Sequence, residues 1–94
     1  MKVEFTRAAK EDLREILLFI AQDNPVAALE MLDRIEVAVG HLASHPHAGR
    51  QGRVESTREL VVTSSPFIAA YRVTPESVQV LRVLHGARRW PTHM

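Results

Sequence analysis

No cysteine occurs anywhere in the 94 residues, which excludes a disulfide framework and any thiolate metal site and fits a reducing compartment. Aromatic residues are scarce at 5%, and only Phe67, Tyr71 and Trp90 fall in the second half. That is too few for the interleaved stacking platform that grips single-stranded nucleic acid. No apolar run approaches the roughly 20 residues of a membrane helix. The opening Met1-Lys2-Val3-Glu4-Phe5-Thr6-Arg7 enters charged residues without the apolar core of an export signal. The expectation is a cytoplasmic protein with no membrane contact. Also missing are a glycine-rich phosphate loop, a readable Ser-His-Asp or Cys-His arrangement, a hydrolase-like carboxylate pair and any internal repeat.

What is present is ordinary for a single globular domain spanning residues 1–94: 46% hydrophobic and 24% charged residues. The net charge of +1 hides an asymmetry. Residues 1–45 carry five cations against eight acids, net −3, whereas residues 46–94 carry seven arginines against Glu55, Glu59 and Glu76, net +4. All seven cations of the second half are arginine, the side chain that forks onto phosphate or carboxylate and stacks on aromatic rings. An anionic partner, nucleic acid or an acidic protein segment, is the natural counterpart.

Taken in order, Val3 and Phe5 alternate with Lys2, Glu4 and Thr6, the period of a short half-buried strand. Thr6 caps a helix whose Leu13, Ile16, Leu17 and Ile20 form one apolar stripe. Leu18 and Phe19 lie off that stripe, so they either broaden the core face or meet a partner. Asp23-Asn24-Pro25 ends this helix and opens a second, giving a tight hairpin. The second helix places Ala28, Leu29, Leu32, Ile35, Val39 and Leu42 on one face. Gly40 marks either a close packing contact or a loosening helix end, and His45-Pro46 stops the helix. Residues 44–56 read as loop, with Arg50 and Arg53 exposed in it. Three short strands follow over 58–62, 67–73 and 78–84, joined by turns short enough to force antiparallel neighbours. The fold class is α+β: an N-terminal strand and a helical hairpin packed on one face of a C-terminal three-stranded antiparallel meander.

Chemistry is sought first in the histidines. His41 and His45 stand one helical turn apart and His47 follows, but no acid or cysteine completes a set, so no metal is expected and these read as solvated histidines at a helix end. His85, at the end of the last strand beside Arg88 and Arg89, has two readings: general acid–base work on a phosphodiester, or a hydrogen bond to backbone at the strand end. The acids read as solvated helix faces. The arginines Arg50, Arg53, Arg58, Arg72, Arg82, Arg88 and Arg89 form either a ligand surface or the solvated side of antiparallel strands. Trp90 beside Pro91 is either a lid tucked onto the sheet or an interaction hot spot.

The hairpin opening Phe5-Thr6-Arg7-Ala8-Ala9 with Asp12-Leu13, then Thr57-Arg58-Glu59-Leu60, Tyr71-Arg72-Val73 and above all Leu81-Arg82-Val83-Leu84-His85-Gly86-Ala87-Arg88-Arg89-Trp90-Pro91, carry a likeness over nearly the whole chain. It resembles the RelE/ParE toxin superfamily of type II toxin–antitoxin modules. The resemblance implies a growth-inhibiting toxin, no cofactor, and neutralisation by a cognate ParD/RelB-like antitoxin in a hetero-oligomer. It also implies one of two activities. RelE-type members cut messenger RNA on the ribosome with basic residues on the middle strands and an arginine near the C-terminus. Here those middle-strand positions hold Glu59, Val61 and Ile68, and only Arg88 matches, so a nuclease would have to work with Arg88, His85 and Arg82. ParE-type members poison DNA gyrase by binding, and this branch is the expectation. Arg58, Arg72, Arg82, Arg88, Arg89 and Trp90 would then contact the target or a partner, and Leu18 and Phe19 the antitoxin. An inert interaction module is the third alternative.

Overall fold

The structure, a computed structural model, describes all 94 residues. Along the chain run β1 (Lys2–Phe5), α1 (Arg7–Ala21), α2 (Pro25–Gly40), a 3-10 turn (His41–Ala43), β2 (Arg50–Gln51), β3 (Arg58–Val61), β4 (Phe67–Val73) and β5 (Ser77–His85). The strands form one sheet in the order β1-β5-β4-β3-β2. The expected meander is there as β3, β4 and β5, paired antiparallel. It is extended at both edges. β1 pairs parallel with β5, from Lys2 opposite Ser77 to Phe5 opposite Val80, and the helical hairpin together with β2, β3 and β4 makes up the long connection that lets the two run parallel. β2 lies inside the stretch expected to be loop, pairing Arg50 with Glu59 and Gln51 with Arg58.

Local chemistry explains the helices. Thr6 Oγ1 accepts the amide of Ala9 at 3.2 Å as the cap of α1, and Asn24 Oδ1 accepts that of Ala27 at 3.0 Å as the cap of α2, with Pro25 in the first turn. Gly40 is the last residue of α2, and a Cβ there would meet nothing within 4 Å. It marks the point where the helix tightens into the 3-10 turn, not a close packing contact.

The core lies between hairpin and sheet. Ala9, Ile35, Val39 and Leu42 meet Val62, Ala69, Tyr71, Val78, Val80 and Val83, with Val3, Phe5, Leu13 and Ile16 packed around them. A bulge between Ala70 and Tyr71 pairs Tyr71 with Val80 but Ala70 with Arg82, leaving Leu81 as the extra residue. The inward alternation of β5 therefore skips a step, and Val80 and Val83 both reach the core. Leu29 departs from expectation. It is 62% exposed, because the buried face of α2 runs through Ala28, Met31, Ile35, Ala38 and Val39, and Leu29 stands about a quarter-turn away from it. Leu18 and Phe19 are not core either, at 54% and 73% exposed. No helix is long and apolar enough to cross a membrane.

Candidate target-binding surface at the end of the last strand

β1 covers only the first half of the β5 edge. At Thr6 the chain leaves the sheet: the Thr6 amide donates to Val80 O at 3.0 Å, and its hydroxyl donates to Leu81 O at 3.0 Å. Beyond that point β5 has no strand on this side, and α1 supplies the missing partner. Asp12 Oδ2 accepts the amide of Val83 at 2.9 Å and Arg82 Nε at 2.7 Å, while Oδ1 accepts Arg82 Nη2 at 2.9 Å. The bidentate pair raises the Arg82 pKa further above its already high ordinary value, the hydrogen bond to Asp12 outweighing burial. Asp12 is 5% exposed and therefore no solvated helix acid. A signal existed: Asp12 is three residues after buried Ala9 and four before Ile16, inside the apolar stripe.

Glu59 corrects the same reading. It lies on β3 at 2% exposure, accepts from Arg50 Nη2 at 3.1 Å and from the Arg53 amide at 2.7 Å, and forms an ion pair with Arg53 Nε at 3.4 Å. Arg50 and Arg53 are exposed, as expected, and are at the same time partners of a buried carboxylate. The Arg53 guanidinium carbon also sits 4.0 Å from the centroid of the Trp90 ring, a cation–π contact. The Trp90 indole N–H donates to His85 O at 3.3 Å. Trp90 is half-buried, as a residue tucked beside the sheet would be.

The expected contact set divides in two. Arg82, Arg88, Arg89 and Trp90 come together with Leu84 and Pro91 around an open cleft of about 430 Å³. Arg88 and Arg89 have no acidic partner there. Arg58 lies elsewhere, donating to the carbonyls of Gly49 at 2.8 Å and His47 at 3.4 Å and lining a second cleft of about 340 Å³ with His47, Gln51 and Val73. Arg72 stands opposite Gln79, near the start of β5, and does not line the Arg88–Arg89 cleft. His85 is exposed; its Nδ1 accepts the Ala87 amide at 3.1 Å, and its ring meets Phe67 edge-on. Its Nδ1 is thereby engaged with backbone, the bond at the strand end that the sequence allowed. No group of three or more histidines and acids is arranged to hold a metal ion. At the far end of the molecule, Leu18 and Phe19 on α1 and Val26 and Leu29 on α2 are exposed on either side of the hairpin turn.

Comparison with known proteins matches residues 3–90 to the family described as ParE toxin of type II toxin–antitoxin system, parDE. The chain is 41% identical to Y4kP of Sinorhizobium fredii, a candidate toxin, over 96% of this chain and 93% of that one. It is 37% identical to toxin RelE2 of Caulobacter vibrioides over 93% of this chain and 97% of that one. Among solved structures, the chromosomal ParDE system of P. aeruginosa superposes with a TM-score of 0.80 at 31% identity, covering 90% of this chain and 95% of that chain. The RelBE2 toxin–antitoxin complex of Mycobacterium tuberculosis superposes at 0.60 and 27% identity, covering 89% and 95%. The extent of these matches and the shared architecture agree with the closing β5 stretch in sequence, and the chain belongs to the ParE toxin family of type II toxin–antitoxin systems, within the RelE/ParE superfamily.

Proposed function

We propose that this toxin acts in the ParE manner, arresting growth by binding DNA gyrase in the cytoplasm, and is held inactive by a ParD/RelB-like antitoxin in a hetero-oligomer. The observation that carries the choice is Glu59. A nuclease that stabilises a developing phosphorane needs unpaired cations on the middle strands, and removing one such donor from a catalytic site costs about 3 kcal/mol. Here the middle-strand position holds a buried carboxylate that occupies Arg50 and Arg53, and Asp12 occupies Arg82. At the cleft Arg88 and Arg89 remain, beside Trp90, Leu84 and Pro91; Arg58 on β3 and Arg72 on β4 also lack an acidic partner, but Arg58 is turned onto the carbonyls of His47 and Gly49 and neither lines this cleft. Two free cations on a partly apolar rim suit recognition of a protein surface better than phosphoryl transfer.

A second reading has two observations in its favour: the Caulobacter relatives carry RelE names, and the cleft does gather Arg82, Arg88 and Arg89. Inducing the chain alone in a bacterium separates the readings. Gyrase poisoning gives filamentation and a DNA-damage response while protein synthesis continues. Immediate translation arrest with cut messages would establish the ribonuclease, and normal growth an inert module.

A further inference from the structure

Beyond His85 the chain makes one turn, closed by the Arg88 amide on His85 O at 3.0 Å, and residues 89–94 make no backbone hydrogen bond. Trp90 nevertheless has a defined place. Its indole N–H is tethered to His85 O, and one face of its ring is covered by the Arg53 guanidinium. Arg53 is itself held, because Glu59 accepts its backbone amide and pairs ionically with its guanidinium. Glu59 cannot follow a moving tail: it is buried on β3, a strand paired on one side with β2 and on the other with β4. A relay of contacts therefore runs from the middle of the sheet to the C-terminal segment.

We infer that Glu59 and Arg53 are positioning residues for the Arg88–Arg89 cleft. The buried carboxylate orients the guanidinium, the guanidinium holds the Trp90 ring, and the ring forms the wall beside which Arg88 and Arg89 are presented. The glutamate that pairs Arg50 of the edge strand and Arg53 of the loop after it thus has a second task in shaping the surface around Trp90. This inference rests on the reading of the cleft as the target-binding surface. Arg50 supplies an internal control, since it shares the same carboxylate but makes no contact with the ring.

Trp90 is the only tryptophan, so its fluorescence reports the relay without a label. The full chain, made by cell-free synthesis, is compared with its variants by emission maximum and acrylamide quenching. Arg53→Ala and Glu59→Gln are expected to shift emission to the red and raise quenching, with about two- to fivefold more of the tail undocked, as loss of one cation–π contact implies. Arg50→Ala leaves the emission unchanged, and Arg53→Lys, which keeps a cation, restores most of the native signal. If Glu59→Gln does not fold, the Arg53→Ala and Arg53→Lys pair still decides. Unchanged emission in Arg53→Ala overturns the relay. Growth inhibition by the same variants reads the underlying assignment separately: a red shift with lost toxicity supports both, whereas a red shift with full toxicity overturns the cleft as the target surface and leaves the relay standing.

Discussion

Asp12 carries three hydrogen bonds on a side chain that is 5% exposed, and two of its donors belong to one arginine 70 residues away. Removing it would leave the Val83 amide and the Arg82 guanidinium without partners in a partly dry site, and breaking a buried pair from one side costs about 3 kcal/mol. Asp12→Ala is expected to lower the unfolding free energy by about that amount, and Asp12→Asn by less, because the amide oxygen still accepts from Val83; urea denaturation midpoints measure both. On the alkaline side the Arg82 contribution should not vary with pH while the protein is folded. Its pKa is raised, so the stabilisation is complete below the ordinary arginine value and is lost only as pH climbs through the still higher folded one. Sequence pattern placed Asp12 in the right helix but among solvated acids, since what makes it buried is the bare edge of β5, a feature of distant chain. Glu59 was hidden for the same reason: nothing local tells that Arg50 and Arg53 will fold over it.

Among the elements, the helical hairpin was the most legible, because its stripe and its caps at Thr6 and Asn24 are local signals, although α2 ends at Gly40 and passes into a 3-10 turn at His41–Ala43, short of the expected stop at His45-Pro46. The strands of the meander were legible within a residue at each end, since turn chemistry at 63–66 and 74–77 brackets them. β2 was not, because a strand of two residues between glycines has no periodicity to show. Nor was the rotation of α2 that turns Leu29 outward, which the packing against the sheet decides. That rotation has a consequence for partner choice: Leu18, Phe19, Val26 and Leu29 form exposed apolar surface on both sides of the hairpin turn. Isolated exposed apolar side chains are ordinary, but four large ones at one tip call for a cover. An amphipathic helix or extended segment of the antitoxin fits that need. Phe19→Glu is therefore expected to weaken antitoxin binding at least tenfold, as burying a charge in an apolar contact costs more than about 1.4 kcal/mol, without changing the melting temperature of the toxin alone. Calorimetric titration with the product of the neighbouring reading frame measures it, and unchanged affinity would place the antitoxin elsewhere.

At the scale of the whole molecule, the two ends of the chain are joined in the sheet. β1 begins at residue 2 and pairs with the strand that begins at residue 77, so closing the fold demands contacts across most of the sequence. No periodicity could announce that pairing, because a parallel partner is chosen in space and the intervening hairpin leaves the choice open. An edge strand of four residues next to a terminus would ordinarily fray. Here it should not. Val3 and Phe5 pack on the core, the Met1 ammonium donates to Ala43 O at 3.2 Å, and Thr6 fastens the strand end to Val80 and Leu81 of β5. The hydrogen bonds of β1 are then broken only when β5 and α1 separate, which is global unfolding. Native-state hydrogen exchange tests this through one amide. Thr6, whose N–H is bonded to Val80 O, is expected to exchange within roughly tenfold of the slowest amides of the β4–β5 ladder, a difference of no more than about 1.4 kcal/mol in opening free energy. Exchange of Thr6 hundreds of times faster than that ladder would mean that β1 opens by itself, and the toxin would then be a meander and hairpin with a detachable first strand.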